Sequence, residues 1–315
     1  MVSTYLSVNK FITRGIMLKN VTFLGLGVMG FPMAGHLAKA GFSTCAYNRT
    51  AAKATDWLEQ QFASVDGAHL TIAATPALAV ADAHIVCMCL GNDDDVRSVV
   101  YGADGVLENM PSGGILIDHT TGSQTLAIEL AQACHEHNIG FIDAPVSGGQ
   151  AGAENGQLTI MCGANAEDYD RAKSVLDVYS RHHQRLGDVG AGQLAKMMNQ
   201  ICIAGIVQGL SEALHFGECA GVDRESVIDV ISKGAAQSWQ MENRAQSMID
   251  SEYEFGFAVD WMRKDLGIAL DAARKNGASL PLTALVDQFY ADVQQAGGGR
   301  WDTSSLLARL PVSKP

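Results

Sequence analysis

The chain has no run of apolar residues near the roughly 20 needed to cross a bilayer, so a membrane-spanning protein is not expected. It has no CxxC spacing. Its seven cysteines, Cys45, Cys87, Cys89, Cys134, Cys162, Cys202 and Cys219, are odd in number and lie mostly in apolar stretches. They read as buried reduced thiols rather than a disulfide framework, and a cytoplasmic location is expected. Positive charge is scarce: 22 Lys and Arg against 34 Asp and Glu leave a net charge of −12, which argues against nucleic acid as a partner. A local cluster of N–H groups and lysines can still hold a small anion. His182-His183 and His135-x-His137 lack partners at ligand spacing, so no metal site is expected. The opening MVSTYLSVNKFITRGI has no continuous apolar core of the signal-peptide kind. Residues 1–16 read as an extension, with Met17 an alternative start.

What is present suits two ordinary cores: 315 residues, 47% apolar and 18% charged. There are no long internal repeats, and the one low-complexity tract is Gly297-Gly298-Gly299, read as a flexible connection before a polar tail. Short apolar runs at 20–24, 43–47, 69–73, 84–89, 114–118, 139–142 and 158–162 read as strands. Helical segments fall near 31–40, 51–62, 76–82, 93–100 and 123–138. This alternation implies a doubly wound α/β domain with a mostly parallel sheet over residues 17–187. From 188 to 315 the strand pattern disappears. Residues 191–220 contain no proline and read as one long helix, followed by helices near 223–233, 239–250, 258–275 and 281–296. The second domain is therefore expected to be all-α.

The turn GLGVMG spans Gly25, Gly27, Val28, Met29 and Gly30 and follows the first strand directly. The first glycine permits the turn, the second admits a pyrophosphate and the third lets helix pack on strand, with the helix N-terminus facing the phosphates. An NAD site places an acid at the end of the second strand to hold the ribose 2′-hydroxyl. Here Asn48, Arg49 and Thr50 stand there with no acid among them. A guanidinium flanked by amide and hydroxyl donors suits a 2′-phosphate, so NADP(H) is preferred over NAD(H).

Ser147, Gly148 and Gly149 follow Pro145 in a loop whose exposed N–H groups could nest a carboxylate, although a structural turn reads equally well. Lys196 falls about one turn into the long helix, among Ala, Met, Ile and Leu. A lone lysine near a helix start is most often a surface side chain. Partly buried, it has a lowered pKa and can pass a proton to a carbonyl oxygen. Asn199 shares its face and could orient a substrate.

Four motifs in order, GLGVMG (25–30), DAPVSGGQAGA (143–153), GAGQLAKMMNQ (190–200) and KDLGIAL (264–270), make the chain resemble the β-hydroxyacid dehydrogenases. That family includes 3-hydroxyisobutyrate dehydrogenase, tartronate semialdehyde reductase and the glyoxylate and succinic semialdehyde reductases. The likeness covers about residues 17–296. It implies a Rossmann domain joined by the long helix to a domain like that of 6-phosphogluconate dehydrogenase. It implies Lys196 as the acid/base, and Ser147, Gly148 and Gly149 as the carboxylate site. Asn199, Gln200 and Thr121 would touch substrate, and Leu90, Thr121, Phe257 and Lys264 would touch the cofactor. Gln200 stands where many relatives carry Asn, CLGNDDDV (89–96) is unusually acidic, and HTTGS (119–123) lacks a common proline. The resemblance implies an NADP(H)-dependent interconversion of a small 3-hydroxy or 2-hydroxy acid with its semialdehyde or keto acid, and the Gly- and Ala-rich long helix, with Ala204, Gly205 and Gly209, suggests close helix packing in a homodimer or homotetramer. The alternatives are an imine reductase, against which an intact Lys196 argues, and an NADPH-binding sensor or scaffold without turnover.

Overall fold

The computed structural model describes residues 20–65 and 69–310. The expected extension at 1–16 and the alternative start at Met17 lie outside the described residues. The first half alternates strand and helix: β1 (Asn20–Leu24), α1 (Gly30–Lys39), β2 (Ser43–Tyr47), α2 (Ala51–Phe62), β3 (Leu70–Ile72), α3 (Pro76–Val80), β4 (Ile85–Met88), α4 (Asp93–Val100), α5 (Val106–Asn109), β5 (Ile115–Asp118), α6 (Gln124–Glu136) and β6 (Gly140–Asp143). Their strands line up in the order β3-β2-β1-β4-β5-β6, all parallel. The order reverses between β1 and β4, and the crevice above that point is where open α/β sheets hold ligands. Strands such as IVCM and ILID are buried along their whole length because helices cover both faces. Successive residues of β1 serve the two faces. Phe23 joins Met33, Leu37, Trp57 and Ile117 on one side, whereas Leu24 joins Met88, Leu116 and Phe141 on the other.

Next come β7 (Val146–Ser147), α7 (Gly149–Glu154), β8 (Leu158–Gly163), α8 (Ala166–Leu176) and β9 (Ser180–Gly187). β8 runs antiparallel to β6 and β7 and parallel to β9, completing a nine-stranded, mostly parallel sheet among the described residues. Apolar patterning does not reveal β9, because SRHHQRLG is an edge strand with a largely polar surface. It misses α7 and α8 too: α7 holds two glycines, and α8 carries five charged residues in eleven, marked only by the Asn165 side chain capping Asp168 N–H.

The second half is helical: α9 (Ala191–Cys219), α10 (Arg224–Ile231), α11 (Trp239–Ile249), α12 (Val259–Asn276), α13 (Pro281–Gln295) and a final 3₁₀ helix (Thr303–Arg309). Ala204 and Val207 of α9 pack with Met262, Leu266, Val286, Tyr290 and Leu306. Among the described residues, no helix is long and apolar enough to cross a membrane. The cysteines of the described residues are all free, three buried, with Cys202 and Cys219 exposed on α9.

The tail corrects an expectation. Gly297–Gly299 do not lead into a loose polar segment. The first N–H groups of α12 have no side-chain cap, and the carbonyls of Trp301 and Gly299 accept from Val259 and Asp260 N–H at 2.9 Å each. Asp302 accepts from Phe257 N–H at 2.8 Å and Ser304 N–H at 3.0 Å, and Leu306 is buried. Trp301, Leu306 and Leu307 supply the apolar surface that a reading of the glycines alone overlooks.

Candidate active site

The glycine turn is shaped by close approach. Gly25 has φ +96° and its N–H donates to Tyr47 O at 2.8 Å; a Cβ there would lie 2.4 Å from Cys89 O. A Cβ on Gly30 would sit 1.9 Å from Gly25 O. One on Gly27 would meet nothing within 4 Å, so open space lies where a pyrophosphate would pass. Val28 is exposed, and the first turn of α1, behind Met29, has neither an acidic residue nor a side-chain cap. Phe31 and Met33 N–H already donate to Gly27 O and Met29 O and Pro32 has none, so it is the open Gly27 position and the acid-free helix start that fit a dinucleotide.

Asn48 locks the turn to the end of β2. Its Oδ1 accepts from Leu26 N–H at 2.9 Å and its Nδ2 donates to Thr50 O at 3.0 Å. The Arg49 side chain is 83% exposed and pairs with Asp95 of α4 at 3.0 Å. No acid follows β2 in the chain, but the fold brings one there from 46 residues away.

Lys196, on the second turn of α9, is only 7% exposed and donates from Nζ to Val146 O at 2.9 Å, next to Ser147. Burial lowers its pKa to about 8; Asp265 pulls it up, and Lys264 adds to the lowering. Gly148 and Gly149 take φ values of +134° and +60°, so this loop needs glycine there. The Ser147 hydroxyl donates to Asn199 Oδ1 at 3.4 Å, Asn199 Nδ2 to Gln200 Oε1 at 2.7 Å, and Gln200 Nε2 to Asp265 Oδ2 at 2.6 Å. Gln200 is fully buried with both ends of its amide engaged, so it backs Asn199 rather than facing the opening.

α12 reaches across to the sheet. Lys264 Nζ donates to Gly91 O at 3.1 Å and Thr121 O at 2.5 Å and lies 3.2 Å from Asp265 Oδ1. Leu90 N–H donates to the Thr120 hydroxyl at 2.9 Å, and the Leu90 side chain packs over Gly25. Thr121 and Leu90 thus line the sheet side of the crevice, with Lys264 opposite. Phe257 lies further off, held by Asp302 and packed against the second-domain core.

Four residues without a sequence-assigned role help build the site. Asp143 accepts from Gly190 N–H at 2.7 Å and Gln193 N–H at 2.8 Å, capping α9 from the end of β6. Gln193 accepts from Gly122 N–H and donates to Thr120 O. Asp265 is 1% exposed, and burial raises its pKa against the pull of Lys264 and Lys196. Asp95 is the fourth. Asp143, Gln193 and Asp265 stand inside the quoted motifs and Asp95 inside the acidic CLGNDDDV stretch, which was an available signal; the roles of Gln193 and Asp95 show only in three dimensions. Below the site, His119 Nδ1–H donates to Ala144 O and Nε2 accepts from the Tyr179 hydroxyl. Burial lowers the His119 pKa to about 4, so the ring is neutral.

A glycine turn at the switch point of a parallel sheet, facing a buried lysine on the helix that opens an all-α half, defines a two-domain nicotinamide-dinucleotide oxidoreductase. Residues 20–190 match the model of the NAD binding domain of 6-phosphogluconate dehydrogenase, and residues 190–310 match that for NAD-binding of NADP-dependent 3-hydroxyisobutyrate dehydrogenase. An uncharacterized oxidoreductase of Shewanella frigidimarina is 60% identical over 294 residues, 93% of this chain and 99% of that one. The 2-(hydroxymethyl)glutarate dehydrogenase of Eubacterium barkeri is 33% identical over 91% of this chain and 93% of its own. The Mycobacterium tuberculosis 3-hydroxyisobutyrate dehydrogenase, solved with L-serine, superposes with a TM-score of 0.82 at 29% identity, over 94% of this chain and all of that one. The chain belongs to the β-hydroxyacid dehydrogenase family. It is an NAD(P)-dependent oxidoreductase of the 3-hydroxyisobutyrate dehydrogenase type.

Proposed function

We propose that this enzyme interconverts a small 3-hydroxy or 2-hydroxy acid and its semialdehyde or keto acid, preferring NADP(H) to NAD(H), with Lys196 as acid/base. The observation that carries the proposal is the buried Lys196 ammonium beside the Ser147–Gly149 turn. The backbone N–H groups of Gly148 and Gly149 and the Ser147 hydroxyl would bind the substrate carboxylate, with Asn199 orienting it. The substrate oxygen would lie at Lys196 Nζ. A bound nicotinamide would supply the hydride to the carbonyl carbon, or accept it in the reverse direction. During reduction Lys196 donates its proton to the carbonyl oxygen, and the ammonium meets the negative charge developing there. During oxidation the neutral amine takes the hydroxyl proton. The open space at Gly27 and the exposed Arg49 support the cofactor assignment, with Asn48, Thr50, Leu90, Thr121 and Lys264 along the crevice and Phe257 behind it.

A homodimer or homotetramer is part of the proposal, supported by the outer stripe of α9, where Met198, Cys202, Ile206, Gly209 and Phe216 are exposed. A cytoplasmic location fits the free cysteines. The test is NADPH oxidation followed by absorbance with glyoxylate, succinic semialdehyde, tartronate semialdehyde and methylmalonate semialdehyde, with NADH as control. Turnover of one acid with NADPH favoured is expected. Turnover of a cyclic imine and of no acid would replace the proposal with an imine reductase, and NADPH binding without any turnover would replace it with a sensor or scaffold.

A further inference from the structure

The sheet order places β2 and β4 on either side of β1, so the glycine turn lies in a groove between their ends. Arg49 rises from the end of β2 and Asp95 from the first turn of α4, just after β4. Their 3.0 Å pair spans that groove. Arg49 has no other side-chain partner among the described residues. Of the three consecutive acids on α4, Asp93 is taken up by Ser123, through its N–H and its hydroxyl, and Asp94 points toward Arg97 at 3.6 Å. Only Asp95 turns toward Arg49. Its second oxygen overhangs Gly91, where a Cβ would lie 2.4 Å from Asp95 Oδ2 and 3.4 Å from the Trp261 ring.

Two opposite demands meet at this place. A 2′-phosphate seeks the Arg49 guanidinium and is repelled by a carboxylate already paired with it. A ribose 2′-hydroxyl is a hydrogen-bond donor, which a carboxylate accepts. Resting on the dinucleotide assignment above, we infer that Asp95 is a specificity-determining residue: it competes with the cofactor 2′-phosphate for Arg49 and accepts the 2′-hydroxyl of the unphosphorylated cofactor. NADPH preference is therefore narrower than Arg49 alone would set, and both cofactors are used.

The test compares dissociation constants of NADPH and NADH, from quenching of tryptophan fluorescence, in the wild type, Asp95→Asn and Arg49→Ala. Calorimetry with 2′,5′-ADP and 5′-AMP isolates the ribose end. The pair is exposed and screened by solvent, so Asp95→Asn should raise the ratio Kd(NADH)/Kd(NADPH) by up to about fivefold. Binding of 2′,5′-ADP should tighten relative to 5′-AMP. Asp95→Ser, which also removes the charge, should act alike. An unchanged ratio in both Asp95 variants, with NADPH binding weakened in Arg49→Ala, would overturn the role of Asp95 and leave the cofactor assignment standing. NADPH binding unaffected by Arg49→Ala would overturn the assignment itself, and the role of Asp95 with it.

Discussion

Replacing Lys196 with methionine should remove turnover and stabilise the protein at once. The buried ammonium has its pKa lowered from 10.5 to about 8, and each unit is worth about 1.4 kcal/mol, so holding the charge in the folded chain costs about 3 kcal/mol at neutral pH. Methionine fills nearly the same volume without a charge. It also leaves Val146 O without its donor, a loss of about 1 kcal/mol. The net gain is about 2 kcal/mol, which in a chain of this size raises Tm by about 4 °C. The sign follows from linkage. A base whose folded pKa is lowered carries its cost in full below the folded value and loses it as pH rises toward the unfolded value. The Tm gain should therefore be complete below pH 8 and fade by about pH 10.5. Turnover should fall about 10³-fold, the range for a lost general acid, with NADPH affinity nearly unchanged. Scanning fluorimetry across pH, with steady-state kinetics on the same preparations, checks both halves. A lower Tm at pH 7, or a turnover loss under tenfold, would refute the buried-acid assignment.

Three further outcomes follow from the same geometry. In the wild type, kcat/KM for reduction should fall and that for oxidation rise as pH passes about 8, where Lys196 loses its proton. Asp265→Asn keeps an acceptor for Gln200 and removes a charge that holds the lysine pKa up, so both limbs should move to lower pH in initial-rate profiles; fixed limbs would separate Asp265 from the lysine. Asp143→Ala strips two buried N–H groups at the start of α9 of their acceptor, which should cost about 2–4 kcal/mol in denaturant titrations; a loss under 0.5 kcal/mol would show that water or neighbouring groups replace the cap.

The strand–helix alternation was readable because fully buried strands such as IVCM are continuous apolar runs, and α9 because 29 residues pass without a proline. The polar edge strand β9 and the charged helix α8 carried no such signal, since their surfaces face water. Around the site, Lys196 and Ser147 could be named because their motifs are local. The relay from Ser147 through Asn199 and Gln200 to Asp265 joins three separate elements, and its closure depends on how α9 and α12 cross. Arg49 was visible at the end of β2, but not its partner, because the pairing of Arg49 with Asp95 depends on the parallel register that sets β2 and β4 on either side of β1.

The cap on α9 also settles where the two halves can bend. Gly190 and Gln193 N–H are held by a carboxylate of the sheet, and Gly192 lies so close that a Cβ would come 2.4 Å from Met161 O. The first turn of the helix is thus anchored to the sheet, although the rest of the helix belongs to the other half. Lys196 follows that anchored turn directly, so its ammonium is held beside the Ser147 loop by the sheet itself. Any bending of the halves about this helix therefore lies beyond Lys196, and the placement of the proposed acid/base against the Ser147 loop does not depend on it.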